Sequence, residues 1–124
     1  MNPRRRGWGR KFSDAFRGVA RAVRGESSFL VHGVAATAAV LLAAALRVEA
    51  VEWGLLGLAI AAVLAAEVFN TALESLARAF GTSHHPRIRD ALDMASGAVL
   101  VVAGGAVVVG LAVFGRRLAL LVGL

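Results

Sequence analysis

The sequence contains no cysteine, which excludes disulfide bonds, thiolate nucleophiles and cysteine-bound metal ions. Its basic N-terminal segment lacks the apolar core and small-residue cleavage site of a secretory signal peptide, so we do not expect that role for it. The pair Gly104 and Gly105 lacks the strand context and the lysine of a phosphate-binding loop. We therefore interpret this glycine pair as a surface for close helix packing.

Polar residues are scarce, because 58% of the 124 residues are hydrophobic and the mean hydropathy is +0.71. Soluble proteins average only about 45 to 50% apolar residues. Three stretches, at about 27–46, 53–73 and 91–114, are long enough for a membrane-spanning helix, which needs roughly 20 largely apolar residues. The composition predicts an all-α membrane protein with three transmembrane helices.

An amphipathic pattern precedes the first apolar stretch, within residues 9–25. Its apolar residues recur every three or four positions, and arginines occupy much of the remaining surface; the apolar set is Phe12, Phe16, Val19, Ala20 and Val23. This pattern is typical of a helix that lies in the membrane surface. We expect residues 1–25 to form a basic segment with this surface helix, and residues 26–124 to form the three-span domain.

Basic residues are concentrated at the N-terminus, where eight of the fourteen lie within the first 26 residues. A basic segment directly before a membrane span more often binds anionic lipid than nucleic acid, and we expect no nucleic-acid partner. Gly81 and Pro86 break the helical pattern after the second span. The loop there adds Arg87 and Arg89 to the same predicted side. The positive-inside rule then places the N-terminus and this loop in the cytoplasm, with Arg116 and Arg117 weakly opposing the assignment.

Glu67, Asn70 and Glu74 stand at the end of the second apolar stretch, where helical spacing puts them on one face. Ionisable groups at the edge of a membrane span are costly, and they are functional candidates by default. Glu26, just before the first span, and Asp93, in the third, lie on the same predicted side. Carboxylate and amide oxygens suit Mg²⁺, which binds one or two carboxylates plus substrate phosphates. The pattern therefore points to phosphoryl transfer.

Each of these groups also has a purely structural interpretation. Asn70 could tie two helices together, and Glu26 could be an acidic residue that favours a helix start. His84 and His85 are expected to be solvated loop residues, and His32 a hydrogen-bonded interior residue. These interpretations do not explain two carboxylates and an amide on one face at the membrane edge.

Two segments resemble the motifs of the prokaryotic diacylglycerol kinase and undecaprenol kinase family. They are Glu67-Val-Phe-Asn70-Thr-Ala-Leu-Glu74 and the stretch from Ala91 to Leu100. Residues 25–29 resemble the acidic motif that opens the family's first span, and residues 16–18 resemble its surface-helix motif. The resemblance covers nearly the whole chain. It implies an ATP- and Mg²⁺-dependent lipid kinase of the bacterial inner membrane, working as a homotrimer with active sites shared between subunits.

The resemblance also implies a role for each motif residue. Glu67 is the expected general base that takes the proton from the lipid hydroxyl. Glu26 and Glu74 are the expected ligands of the Mg²⁺ carried by ATP. Asn70 and Asp93 are expected to position the nucleotide, the metal ion or the neighbouring carboxylates. The surface helix is expected to help close the site over ATP, with Arg10 or Lys11 near the phosphates.

One position departs from the family pattern, because Leu92 stands where the second motif carries a lysine. Leucine cannot neutralise phosphate charge. Arg89, one helical turn earlier, and an N-terminal arginine are the candidate substitutes, since a guanidinium can bind phosphate through two hydrogen bonds. Without a substitute the chain would be slow, or a catalytically silent, degenerate relative of the family. The rival from another class is a non-enzymatic helical assembly in which the polar groups only hold helices together.

The residues do not agree on the lipid alcohol. His32 and the pair His85-Pro86 resemble the undecaprenol kinase branch of the family. Residues 26–29 and the pair Asp93-Met94 resemble the diacylglycerol kinase branch. We expect undecaprenol, with diacylglycerol as the alternative.

Overall fold

Long apolar stretches with few helix breakers give this chain an all-helical architecture. The computed structural model describes residues 7–24, 27–81 and 85–124. The helices are α1 (Trp8–Val23), α2 (Ser27–Leu46), α3 (Ala50–Phe80) and α4 (Pro86–Leu121). The last three are long and apolar enough to cross a membrane. This confirms the prediction of an all-α protein with three such helices.

Two of the three helices are longer than the predicted spans. The second, expected over 53–73, is the 31-residue helix α3, and the third, expected over 91–114, is the 36-residue helix α4. At 1.5 Å per residue they measure about 46 and 54 Å, well beyond the roughly 30 Å of a hydrocarbon core. The difference arises because hydropathy locates only the apolar part of a helix, whereas the helix itself continues until a residue interrupts it.

The residues that interrupt the helices are those that the sequence indicates. Helix α3 ends where Gly81 adopts a left-handed conformation, with φ of 62°, which glycine reaches without a steric cost. Helix α4 begins at Pro86, whose missing N–H is not needed in a first turn. His85 caps this helix, because its Nδ1 accepts a hydrogen bond from the backbone N–H of Arg87 at 3.2 Å.

The link between α2 and α3 is tight and is fixed by backbone hydrogen bonds. Arg47 takes the left-handed conformation with φ of 54°. The N–H of Val48 donates to the carbonyl of Ala43, and that of Arg47 to Ala44, which is the Schellman pattern of helix termination. Val48 and Ala43 are both buried there, together with Leu56 of α3 and Val113 of α4. The small Ala43 side chain lets the three helices approach closely at this end.

Most large apolar side chains of α2, α3 and α4 point away from the protein. More than 60% of the side chain is exposed in the residues Leu30, Leu41, Leu58, Phe69, Leu100 and Leu111. Exposed apolar surface of this extent marks a protein or membrane contact. Helix α1, which packs against α3, likewise exposes Trp8, Phe12 and Phe16.

The end of the helices opposite Gly81 is held together by ionic contacts from α4. Glu52, which is only 6% exposed, accepts hydrogen bonds from the backbone of Glu49 at 3.1 Å and from Arg116 at 3.4 Å. Arg116 also lies 3.5 Å from the Glu49 carboxylate. Arg117 donates to the carbonyl of Leu46 at 2.6 Å. The arginine pair therefore connects α4 to the link between α2 and α3.

We expect the Arg116→Ala substitution to destabilise the folded protein by about 1 kcal/mol, because the buried Glu52 carboxylate loses its cation while Arg116 itself is half exposed. Thermal unfolding of the detergent-solubilised protein measures this loss. Arg47→Ala is the matched control, since Arg47 makes no ion pair within the described residues. Equal melting temperatures for the two variants would contradict the expectation.

Candidate functional site

Glu67 is the buried carboxylate at the centre of the site. It lies on α3, is only 4% exposed, and faces two polar residues of α2. Ser28 donates its hydroxyl hydrogen to Oε2 at 3.2 Å, and the His32 Nε2 lies 2.9 Å from Oε1. Ser28 and His32 are four residues apart, so they share one face of α2.

These two contacts explain how a carboxylate is tolerated in an apolar helix pair. Burying an unpaired charge costs far more than burying a hydrogen-bonded one. Each oxygen of Glu67 receives one donor from α2. Because a carboxylate has about four acceptor positions, two of these positions stay open for another hydrogen-bond donor.

Asn70 and Glu74 form a second polar group on α3, one turn further along the helix. The Asn70 Nδ2 donates to the Glu74 Oε1 at 2.9 Å. The Oδ1 of Asn70 is buried, and it is the buried side-chain polar atom for which the described residues offer no partner. Leaving a buried acceptor unsatisfied costs about 1 to 3 kcal/mol, so such an atom needs a functional or structural explanation.

The remaining predicted residues do not join this group within the described residues of one chain. Asp93 and Arg89 are exposed on α4, and Arg10 and Lys11 are exposed on α1. Lys11 places its ammonium 4.7 Å from the centre of the Trp8 ring. No hydrogen bond or ion pair connects these four to the α3 carboxylates in residues 7–24, 27–81 and 85–124. Glu26, the second expected metal ligand, lies outside the described residues.

The donor set on α3 fits a magnesium ion by its chemistry. The described residues contain no cluster of three His, Asp or Glu side chains that could enclose a metal ion. Mg²⁺ does not require such a cluster, because it keeps several waters and uses one or two carboxylates plus substrate phosphates. The Glu74 carboxylate and the unpaired Oδ1 of Asn70 are oxygen donors of the kind that Mg²⁺ binds.

Two apolar spaces adjoin the polar groups. A cavity of about 320 Å³ lies between α2, α3 and α4, and His32 is the polar residue among those that line it. The others are mostly small, such as Ala36, Ala59 and Ala106. A smaller crevice between α3 and α4 contains Leu92 beside apolar residues of α3. The leucine that departs from the family pattern thus lies in an apolar setting.

Sequence reasoning anticipated part of this site. The expectation that His32 is a hydrogen-bonded interior residue is confirmed by its contact with Glu67. Ser28 was not anticipated as a partner of Glu67. Ser28 and His32 are four residues apart on a largely apolar helix, and this spacing indicates a shared polar face. The sequence does not show which helix that face contacts.

Three apolar helices around a buried, hydrogen-bonded carboxylate define an integral membrane protein with a polar site between its helices. Residues 13–114 match the prokaryotic diacylglycerol kinase family. The chain belongs to this family. It is a membrane lipid kinase, as the motifs predict, with ATP as the phosphoryl donor.

Several curated relatives are similar over most of this chain. The undecaprenol kinase of Bacillus subtilis (strain 168) is 32% identical over 105 residues, which cover 85% of each protein. A diacylglycerol kinase of Synechocystis is 37% identical over 100 residues, which cover 80% of this chain and 57% of that protein. The diacylglycerol kinase of Escherichia coli (strain K12) is 33% identical over 87 residues, 70% of this chain and 71% of its own. No solved structure matches the chain.

Proposed function

We propose that this protein transfers the γ-phosphoryl group of ATP to the hydroxyl of undecaprenol, with Glu67 as the general base. The observation that carries this proposal is the buried Glu67 carboxylate, held by two donors of α2 and left with open acceptor positions. Similarity to an undecaprenol kinase over 85% of both chains supports the choice of lipid. Diacylglycerol is the second candidate, favoured by similarity to diacylglycerol kinases.

In the proposed reaction, the lipid hydroxyl donates a hydrogen bond to an open acceptor position of Glu67. As the hydroxyl oxygen bonds to the γ-phosphorus, its proton passes to the carboxylate. The bond between the γ-phosphorus and its bridging oxygen breaks, and ADP leaves. A base within hydrogen-bond reach of the proton typically accelerates such a step by about 10²- to 10⁴-fold.

The nucleotide end of the site is assigned to the polar residues beyond Glu67 on α3. Glu74 and the Asn70 Oδ1 would hold Mg²⁺ together with Glu26, and Asp93 would position the nucleotide. Bound there, Mg²⁺ would neutralise charge on the phosphates during transfer. The buried Oδ1 of Asn70 has no partner among the described residues, and this supports the assignment. An oxygen that binds a metal ion needs no hydrogen-bond donor from the protein.

Arginine and lysine side chains would complete the phosphate site. Leu92 supplies no charge, so we assign its role to Arg89, with Arg10 and Lys11 of α1 closing over the phosphates. All three basic side chains are exposed. Because these three side chains do not contact Glu67 or Glu74 within the described residues of one chain, we propose that a homotrimer brings them together from different subunits.

The proposed setting is the cytoplasmic side of the bacterial inner membrane. Helix α1 would lie in the membrane surface, with its exposed stripe of Trp8, Phe12 and Phe16 in the lipid and its arginines at the headgroups. The N-terminus and the 81–85 link would then face the cytoplasm, where ATP is available.

The proposal is tested by measuring phosphorylation of undecaprenol and of diacylglycerol in mixed micelles, with purified protein and labelled ATP. We expect undecaprenol to have the higher kcat/KM. Glu67→Gln keeps the shape of the side chain but cannot take the proton, so kcat should fall by about 10²- to 10⁴-fold.

Glu52→Gln is the matched control, because Glu52 is a second buried carboxylate of α3 at the opposite end of the helix. Its kcat should stay near the parental value at a temperature where all variants are folded. A Glu67→Gln variant with parental kcat would refute the base assignment. A higher kcat/KM for diacylglycerol would reverse the choice of lipid.

We expect Glu74→Gln to raise the Mg²⁺ concentration needed for half-maximal rate by at least about tenfold. Residues that only hydrogen-bond to a metal ligand already change metal affinity by about tenfold or more, and Glu74 is a proposed ligand itself. The measurement is a Mg²⁺ titration of kinase activity at fixed ATP. Glu49→Gln serves as the control, because Glu49 is an exposed carboxylate at the other end of α3. An unchanged Mg²⁺ requirement in Glu74→Gln would remove that residue from the metal site.

Arg89→Ala should raise the KM for ATP by about tenfold if its guanidinium contacts phosphate, as expected for a lost hydrogen bond between charged groups. The KM for the lipid should not change. Arg87→Ala is the control, since Arg87 lies two residues earlier and about 200° around α4. If both variants respond equally to ATP concentration, Arg89 does not substitute for the missing lysine.

A further inference from the structure

We propose that His32 is a positioning residue for Glu67, fixing the direction in which this carboxylate meets the lipid hydroxyl without itself taking the proton. This inference rests on the proposed function of Glu67 as general base. It gives His32, on α2, a role in the reaction of Glu67, on α3.

The contact between the two side chains is short and direct. The His32 Nε2 lies 2.9 Å from Oε1 of Glu67, within the range of a strong hydrogen bond to a charged acceptor. An ionised carboxylate can only accept, so Nε2 carries the hydrogen in this pair. The bond joins α2 to α3 across 35 residues of sequence.

The two bonds to Glu67 differ in a way that suits catalysis. The His32 contact at 2.9 Å is shorter than the Ser28 contact at 3.2 Å. In the proposal, the histidine bond holds Oε1 in place, and Oε2, which has the longer contact, receives the lipid hydroxyl. A lipid hydroxyl that bonds to Oε2 meets a carboxylate whose plane is already set by the bond to Oε1.

Glu67 is the hydrogen-bond partner of His32, and the other side chains near His32 are apolar. His32 is the polar residue in the lining of the 320 Å³ cavity, and apolar side chains such as Ala35, Ala36 and Val63 form the nearby walls. Among the described residues, its side chain has a hydrogen bond to Glu67 and to no other group. The bond to Glu67 is therefore the polar contact that ties this imidazole to α3, and a supporting hydrogen bond of this kind is what a positioning residue provides.

The test compares two substitutions at position 32. His32→Leu removes the donor, and kcat should fall by about 10²-fold, the scale expected when a reacting group is misplaced by about 1 Å. The KM for ATP should stay within about twofold, because His32 bonds to Glu67 and not to Asn70 or Glu74, which form the proposed nucleotide end of the site. His32→Gln offers an amide N–H near the position of Nε2 and should restore kcat to within about tenfold of the parental value.

Thr37→Val is the matched control. Thr37 is on the same helix, and its hydroxyl bonds to the carbonyl of Gly33, four residues earlier, rather than to α3. Its loss should leave kcat unchanged. If the His32→Leu variant does not fold, His32→Asn takes its place. The asparagine amide is polar but too short to reach Glu67, so the same loss of kcat is expected.

Two results would overturn the proposal. Parental kcat in His32→Leu, or in its Asn replacement, would show that Glu67 needs no positioning by His32. A His32→Gln variant as inactive as His32→Leu would show that the imidazole itself takes the proton, since glutamine can donate but cannot act as a base. Failure of the base assignment is distinguished separately, because then Glu67→Gln keeps the parental kcat while His32 is present.

Discussion

The hydrogen-bonded burial of Glu67 is the interaction on which the rest of the site depends. A charged side chain between apolar helices is stable only when its oxygens are satisfied, and α2 supplies one donor to each oxygen. This requirement sets how α2 and α3 face each other. His32, which bonds to this carboxylate, also lines the apolar cavity between the three helices.

Helix α3 contains two buried carboxylates, and their partners differ in kind. Glu52 is paired with Arg116 and with a backbone N–H, so its charge joins three segments of the chain at one end. Glu67 is paired with a hydroxyl and an imidazole, which leave acceptor positions open. The first arrangement holds a helix end through an arginine, whereas the second joins α2 to α3 without an arginine or a lysine. The same residue type therefore has a structural role at one end of α3 and a proposed chemical role at the other.

Particular residues show how far sequence reasoning reached. Hydropathy found three helices, and Gly81 and Pro86 correctly indicated where α3 ends and α4 begins, because φ preferences are local properties. The full lengths of α3 and α4 were underestimated, since polar residues such as Glu74, Ser75 and Arg78 continue a helix without being apolar. The contact of Asn70 with Glu74 follows from their spacing. The role of Arg116 could not be predicted, because Glu52 lies 64 positions away.

The sequence by itself determined the membrane class, the number of apolar helices, the family and the residues of the α3 motif, because composition, periodicity and motif spacing are all properties of neighbouring positions. Tertiary structure decided that Glu67 faces Ser28 and His32, that Asn70 keeps one oxygen unpaired, and that Leu92 lies in an apolar crevice. These facts depend on which helix faces meet. Helix facing in turn depends on packing between residues far apart in the chain, which no local pattern specifies.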